Sequence, residues 1–227
     1  MRDKDVTGGP ASVGDEFYSV SDERVQQAYV GVRRADRWVP FFLPNLKSGQ
    51  RLLDCGCGVG TITVDLAEIV APGQVIGIDR DPGQLAAART HAQRREVTNV
   101  EFQVGDVYNL EFPDASFDAI LAHTLLVHLS DPLKALREMR RVLKLGGVIG
   151  VADDDYSTLV HSPADTSLEQ IIALWTRFLL HNGASLHYSR HQRGLLLEAG
   201  FARTEGHAMA ADYYLSLIHI SEPTRPA

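Results

Sequence analysis

The residues best suited to chemistry lie in Leu52-Leu53-Asp54-Cys55-Gly56-Cys57-Gly58-Val59-Gly60, an apolar run that ends in an acid and then sets glycine at every second position. Glycine allows tight turns and close backbone approach that a Cβ would block. A helix opening near Thr61 adds backbone donors and a positive dipole for an anionic group. A second acid, Asp79, closes Val75-Ile76-Gly77-Ile78-Asp79, where a carboxylate can accept from both hydroxyls of a ribose. A third, Asp106, follows Val100–Val104 across Gly105, placed to accept from an exocyclic amine such as that of adenine. A tight strand–helix turn would explain the glycines alone; three acids at successive strand ends point further, to a nucleoside bound in a strand-end crevice. A dinucleotide fingerprint would put glycine at position 61, which is Thr61, so a nicotinamide dehydrogenase is the weaker alternative.

Other reactive-looking side chains read less sharply. His123, Thr124 and His128 follow the run Phe117–Ala122, and an imidazole there is a candidate general base. The plainer readings are that His123 lines a pocket and His128 packs against the next helix. Asp153-Asp154-Asp155 reads as a solvated strand end, because three consecutive carboxylates of an extended chain cannot converge on one ion. Cys55-x-Cys57 lacks the second ligand pair of a zinc site, so no metal is expected. His181, His187, Arg190, His191 and Arg193 read as an exposed polar helix start, and Trp175 and Phe178 as packing of a helix.

These residues need elements to hold them. Short apolar runs at Arg51–Asp54, Val75–Asp79, Val100–Val104, Phe117–Ala122 and Val148–Ala152 alternate with amphipathic stretches, which predicts a parallel sheet covered on both faces. Asp81-Pro82 with Gln84 as a capping-box partner opens one helix, and Asp131-Pro132 opens another that Gly146-Gly147 stops. Residues 1–20 read as a mobile tail. A domain over 21–214 begins with a helix, Ser21–Trp38, whose apolar face includes Val25, Ala28, Tyr29 and Val32 while Arg24, Arg33, Arg34 and Arg37 lie largely elsewhere. Residues 156–190 insert a helix that either roofs the crevice or merely packs on the surface, and a further helix, His191–Ala199, precedes a strand-like Phe201–Tyr214. From Leu215 the sequence resembles the translated read-through of a sequencing adapter, so 215–227 is set aside as non-native.

From about Leu52 to Val148 the chain resembles class I S-adenosylmethionine-dependent methyltransferases, most closely the small-molecule group that includes ubiquinone- and menaquinone-biosynthesis enzymes. Asp54-x-Gly56-x-Gly58-x-Gly60, Val75–Asp79, Gly105-Asp106-Val107, Phe112–Asp118 and Arg137–Gly147 are similar to successive motifs of that family, with Leu145 where proline is common. The resemblance implies a Rossmann-like, doubly wound, mostly parallel sheet of seven strands, its final antiparallel strand lost here to the foreign tail. It implies S-adenosylmethionine as cofactor, held by glycine-loop amides at the carboxylate, Asp54 at the amine and Asp79 at the ribose. Arg80 would pack beside the adenine, with Asp106 and the Val107 amide on its edge and His123 completing the contact region. The activity expected is methyl transfer by in-line displacement to a small-molecule acceptor; the alternative is a non-catalytic S-adenosylmethionine-binding or scaffold protein.

Composition narrows the setting. The 227 residues are 44% apolar and 22% charged, with net charge −7, ample for one folded domain and poor for a phosphate track. After Ala122 stands His123-Thr124-Leu125-Leu126-Val127-His128 rather than the Asn/Asp-Pro-Pro-aromatic string of base-amine methyltransferases, so no nucleic-acid partner is expected. No apolar run reaches the ~18 residues of a membrane span, no secretory signal opens the chain, and the two cysteines cannot staple a fold, which makes a cytoplasmic setting the default.

Overall fold

The computed structural model describes residues 31–158, 166–181 and 184–208. Its elements are α1 (Ala35–Trp38), β1 (Leu52–Cys55), α2 (Thr61–Val70), β2 (Val75–Asp79), α3 (Pro82–Arg94), β3 (Val100–Val104), β4 (Phe117–His123), α4 (Pro132–Val142), β5 (Leu143–Ala152), α5 (Thr166–His181) and α6 (Tyr188–Glu198). The strands form one parallel sheet in the order β3-β2-β1-β4-β5. That is the Rossmann-like, doubly wound arrangement expected.

Alternation along the strands divides the core into layers. Leu53, Cys55, Ile120 and Ala122 pack against Leu136, Met139 and Tyr188 on one side. Leu52, Ala119 and Leu121 face Val39, Phe42, Leu66 and Val70 on the other. Such strands, apolar on both faces, belong to a sheet helices cover twice. Strand order reverses between β1 and β4, so the loops leaving these neighbours part and open a crevice at their carboxyl ends.

Several boundaries differ from the sequence expectation. Helix α4 stops at Val142, not at Gly146-Gly147, and β5 begins at once with Leu143 opposite Phe117. The glycines instead lie where the β4–β5 register shifts between Phe117 and Ala119. Asp131 Oδ1 caps α4 by accepting from the Lys134 amide at 3.0 Å. Asp81 Oδ1 caps α3 by accepting from the Gly83 amide at 2.8 Å, but Gln84 is buried in a cavity wall rather than completing a capping box.

Of the anticipated Ser21–Trp38 helix, residues 21–30 lie outside the described residues, and only Ala35–Trp38 of the remainder is helical. Arg34 is extended, so helical period does not govern residues 31–34: Val32 is 67% exposed and Arg33 only 6%. Residues 201–208 form no strand, and 209–227, with the suspected foreign tail, lie outside the described residues, as do 1–20. Among the described residues the sheet has five strands, and no helix is long and apolar enough to cross a membrane.

Candidate active site

A cavity of about 630 Å³ opens at the strand ends where the order reverses, within the range of small-molecule sites. Asp54, Gly56, Gly58, Asp79, Arg80, Asp106, Val107, His123 and His128 all line it, so the sequence-predicted residues converge. Gly60 stands just behind, as the left-handed residue (φ 73°) that turns the chain into α2. A Cβ there would come within 2.7 Å of Ala88 Cβ and 2.9 Å of Phe102 Cζ, so only glycine fits.

The glycine loop supplies shape rather than donors. The amides of Gly56 and Cys57 both donate to the Ile78 carbonyl, at 2.8 and 2.9 Å, and that of Gly60 to Cys57. The Gly58 amide donates to Asp79 Oδ2 at 2.9 Å. These donors are engaged within the protein, contrary to the expectation that loop amides meet a ligand carboxylate. An anion must look instead to the first turn of α2, whose leading amides have no intrahelical acceptor.

Asp54 is 3% exposed and accepts from Thr63 Oγ1 at 2.6 Å. Burial pushes its carboxyl up to about 7, against the pull of the Thr63 bond and with the help of nearby Asp79. Asp79 is also raised by burial, while the amides of Asp81 and Gly58 pull it down. Each Asp79 oxygen accepts one of those amides, and the Arg80 amide also pulls the carboxyl down. Asp106 is exposed and accepts from the Tyr108 amide at 2.9 Å. The ends of β1, β2 and β3 thus bring three carboxylates to one rim, a setting for a cationic, hydroxyl-bearing ligand.

The β4 end is different. His123 is held down at about 3 and His128 at about 4, first by burial and then by the Arg33 guanidinium. Both rings are neutral at pH 7, and the burial and guanidinium that keep them so make each a weaker base than an ordinary imidazole. Trp38 stands edge-on to His123, 5.8 Å between ring centroids.

Some site residues escaped sequence reasoning. Arg33 and Gln84 line the cavity, one taken for a polar-face arginine and the other for a cap. A buried, charged residue leaves no periodic signal when its segment is not a helix.

The acid triplet is not a solvated end. Asp153 Oδ2 is shut away from solvent without a partner, while Oδ1 accepts from the Val127 amide at 3.2 Å. Asp155 pairs with Arg190 at 2.6 Å. No described residue of 156–190 lines the cavity. Helix α5 buries Leu179 but exposes Ile171, Leu174 and Leu180 by more than half, and Phe178 by 37%, so it is neither roof nor ordinary core packing among the described residues. His181, His187, His191 and Arg193 are exposed, as expected.

A methyltransferase-domain family matches residues 46–185. An uncharacterized methyltransferase of Schizosaccharomyces pombe is 32% identical over 179 residues, covering 76% of this chain and 64% of that protein. A 2-phytyl-1,4-naphtoquinone methyltransferase of Synechococcus elongatus is 29% identical over 210 residues, covering 87% and 90% of the two chains. Among solved structures, an arsenic(III) S-adenosylmethionine methyltransferase from Chlamydomonas reinhardtii matches with a TM-score of 0.53 and 27% identity, over 69% of this chain and 53% of that one. The chain spans 64%, 50% and 44% of the length of three of the curated relatives it matches, one of them the fission-yeast protein.

Proposed function

The chain belongs to the class I S-adenosylmethionine-dependent methyltransferases, and we propose that it moves the methyl group of S-adenosylmethionine onto a small-molecule acceptor by in-line displacement. The observation that carries this reading is the row Asp54, Asp79 and Asp106 around one cavity beside a glycine loop that leaves no room for a Cβ at Gly56 or Gly60. The cofactor supplies a methyl group already activated on a sulfonium.

The protein's part is binding and orientation. Asp79, pinned by two backbone amides, holds the ribose hydroxyls. Asp106 and the Val107 amide meet the adenine edge, with Arg80 beside the ring. Asp54 receives the amine, where a cation relieves the cost of its buried carboxylate. The first turn of α2 receives the carboxylate, while Gly56, Gly58 and Gly60 keep the wall close. His123, neutral and braced by Trp38, packs rather than titrates. Ile62, Leu121, Leu125 and Leu129 give the rest of the cavity an apolar wall that limits water and suits an acceptor with apolar surface. Holding such an acceptor at attack distance then provides much of the acceleration.

Calorimetry with S-adenosylmethionine tests the reading. The intact protein should bind, and Asp79→Ala should weaken binding by about ten- to a hundredfold, the worth of hydrogen bonds to a charged acceptor. No binding by the unsubstituted protein would remove the proposal. A screen of small acceptors for release of S-adenosylhomocysteine separates a catalyst from a non-catalytic binder.

A further inference from the structure

Gln84 is a carboxamide set into the cavity wall. It is 6% exposed and lines the cavity from the first turn of α3. Among the described residues its side chain makes no hydrogen bond, although a carboxamide carries two donors and an acceptor. The local sequence explains why. Asp81 is the N-cap of α3, and a capping box would send the glutamine back to the Asp81 amide. That amide is already taken, donating to Asp79 Oδ1 at 3.0 Å. Helix α3 keeps the Asp81 side-chain cap on the Gly83 amide and leaves Gln84 for another partner.

Gly58 places that carboxamide. Gln84 Oε1 lies 3.4 Å from where a Cβ of Gly58 would stand, and the Gly58 amide donates to Asp79 Oδ2 at 2.9 Å. Gln84 and Asp79 therefore flank the same residue of the glycine loop, one at the end of β2 and the other in the helix that follows. Withdrawing a carboxamide from water without a partner costs free energy, and a ligand in the cavity can supply the partner. The group that Asp79 takes decides its chemistry. A hydroxyl that donates to a carboxylate keeps two lone pairs, and a carboxamide N–H is the donor that answers them.

We infer that Gln84 is a specificity-determining residue, whose carboxamide donates to a ribose hydroxyl of the cofactor that Asp79 accepts from. That hydroxyl is then held as donor and as acceptor at once. This rests on the methyl-transfer reading above and adds a second reader of the sugar to it. Two such groups reject a deoxynucleoside more sharply than the carboxylate alone, because loss of the hydroxyl leaves both without a partner.

Calorimetry on the full chain tests the assignment with S-adenosylhomocysteine and its 2′-deoxy and 3′-deoxy forms. Gln84→Met, of similar length and without a nitrogen or oxygen to bond, should weaken S-adenosylhomocysteine about three- to tenfold, the worth of a hydrogen bond between neutral groups. It should weaken one deoxy form by the same factor and change the other, which lacks the contacted hydroxyl, less than about twofold. The melting temperature without ligand should not fall, because the carboxamide bonds to nothing in the protein. Gln84→Glu, which keeps the shape and when ionised at alkaline pH has no donor, should lose at least as much affinity at that pH. Unchanged affinity in Gln84→Met, an equal loss for all the ligands, or full affinity in Gln84→Glu would overturn the inference. An equal loss together with a lowered melting temperature would also overturn it, by making Gln84 a packing residue. Failure of the unsubstituted protein to bind S-adenosylhomocysteine at all would instead sink the methyl-transfer reading beneath it.

Discussion

Asp54 carries two opposed demands. Its carboxyl stands at about 7 in the folded protein against 3.8 ordinarily, because burial disfavours the charge. A group raised on folding stabilises the native state fully below its unfolded value, and that contribution is lost as pH rises through the folded one. Without ligand, the Asp54 contribution should therefore decline between about pH 4 and 7, and Asp54→Asn should flatten that slope in thermal melts. The proposed amine partner favours the ionised carboxylate, so binding should release a proton below neutrality. S-adenosylhomocysteine affinity should fall about tenfold per pH unit below about pH 7. Calorimetry in buffers of differing ionisation heat reads both effects; a proton count of zero at pH 6 would contradict this assignment. The three acids were legible in the sequence because each ends an apolar run. Arg33 was not, since its burial depends on an extended stretch that breaks the helical period, and neither was Gln84, whose spacing from Asp81 mimics a cap.

At the scale of elements, the short 3₁₀ turn Leu126–His128 carries His128 to the cavity wall. Asp153, beyond the end of β5, ties that turn down: burial pushes its carboxyl well up, and against that the Val127 amide, which donates to it at 3.2 Å, and the Leu125 and Leu126 amides pull it down. The Ser185 amide donates to the Val127 carbonyl at 3.1 Å, joining the same turn to the approach to α6. Asp153→Ala should cost about 1–3 kcal/mol, the penalty for buried amides left without their acceptor. It should also speed hydrogen exchange at Val127 while exchange in β1 tracks only the global loss. Uniform acceleration across the sheet would mean the carboxylate supports the whole fold rather than this turn. Strand positions were readable to within about a residue for β1 to β4, because burial on both faces writes itself into short apolar runs, clearest in β1, β2 and β4. The start of β5 was not, because Leu143 leaves the helix to pair with Phe117 before any glycine arrives.

The sheet carries the candidate site at the carboxyl ends of its strands and, among the described residues, has β3 and β5 as its two edges. β5 runs for ten residues, Leu143–Ala152, with β4 on one flank and no paired strand on the other among the described residues. Phe201–Tyr214 reads as strand-like in the sequence, but its described part, 201–208, forms no strand. A long edge strand is a template for another chain, and Leu145, 95% exposed, puts an apolar side chain there rather than a charge that would discourage contact. Light scattering should show mean mass rising with concentration, and Leu145→Lys should blunt the rise without shifting the melting temperature; constant mass in both would rule out a sticky seam. Such a seam would make quantity a variable of its own, with crowded molecules zipping together along their flanks while each cleft stays open to solvent.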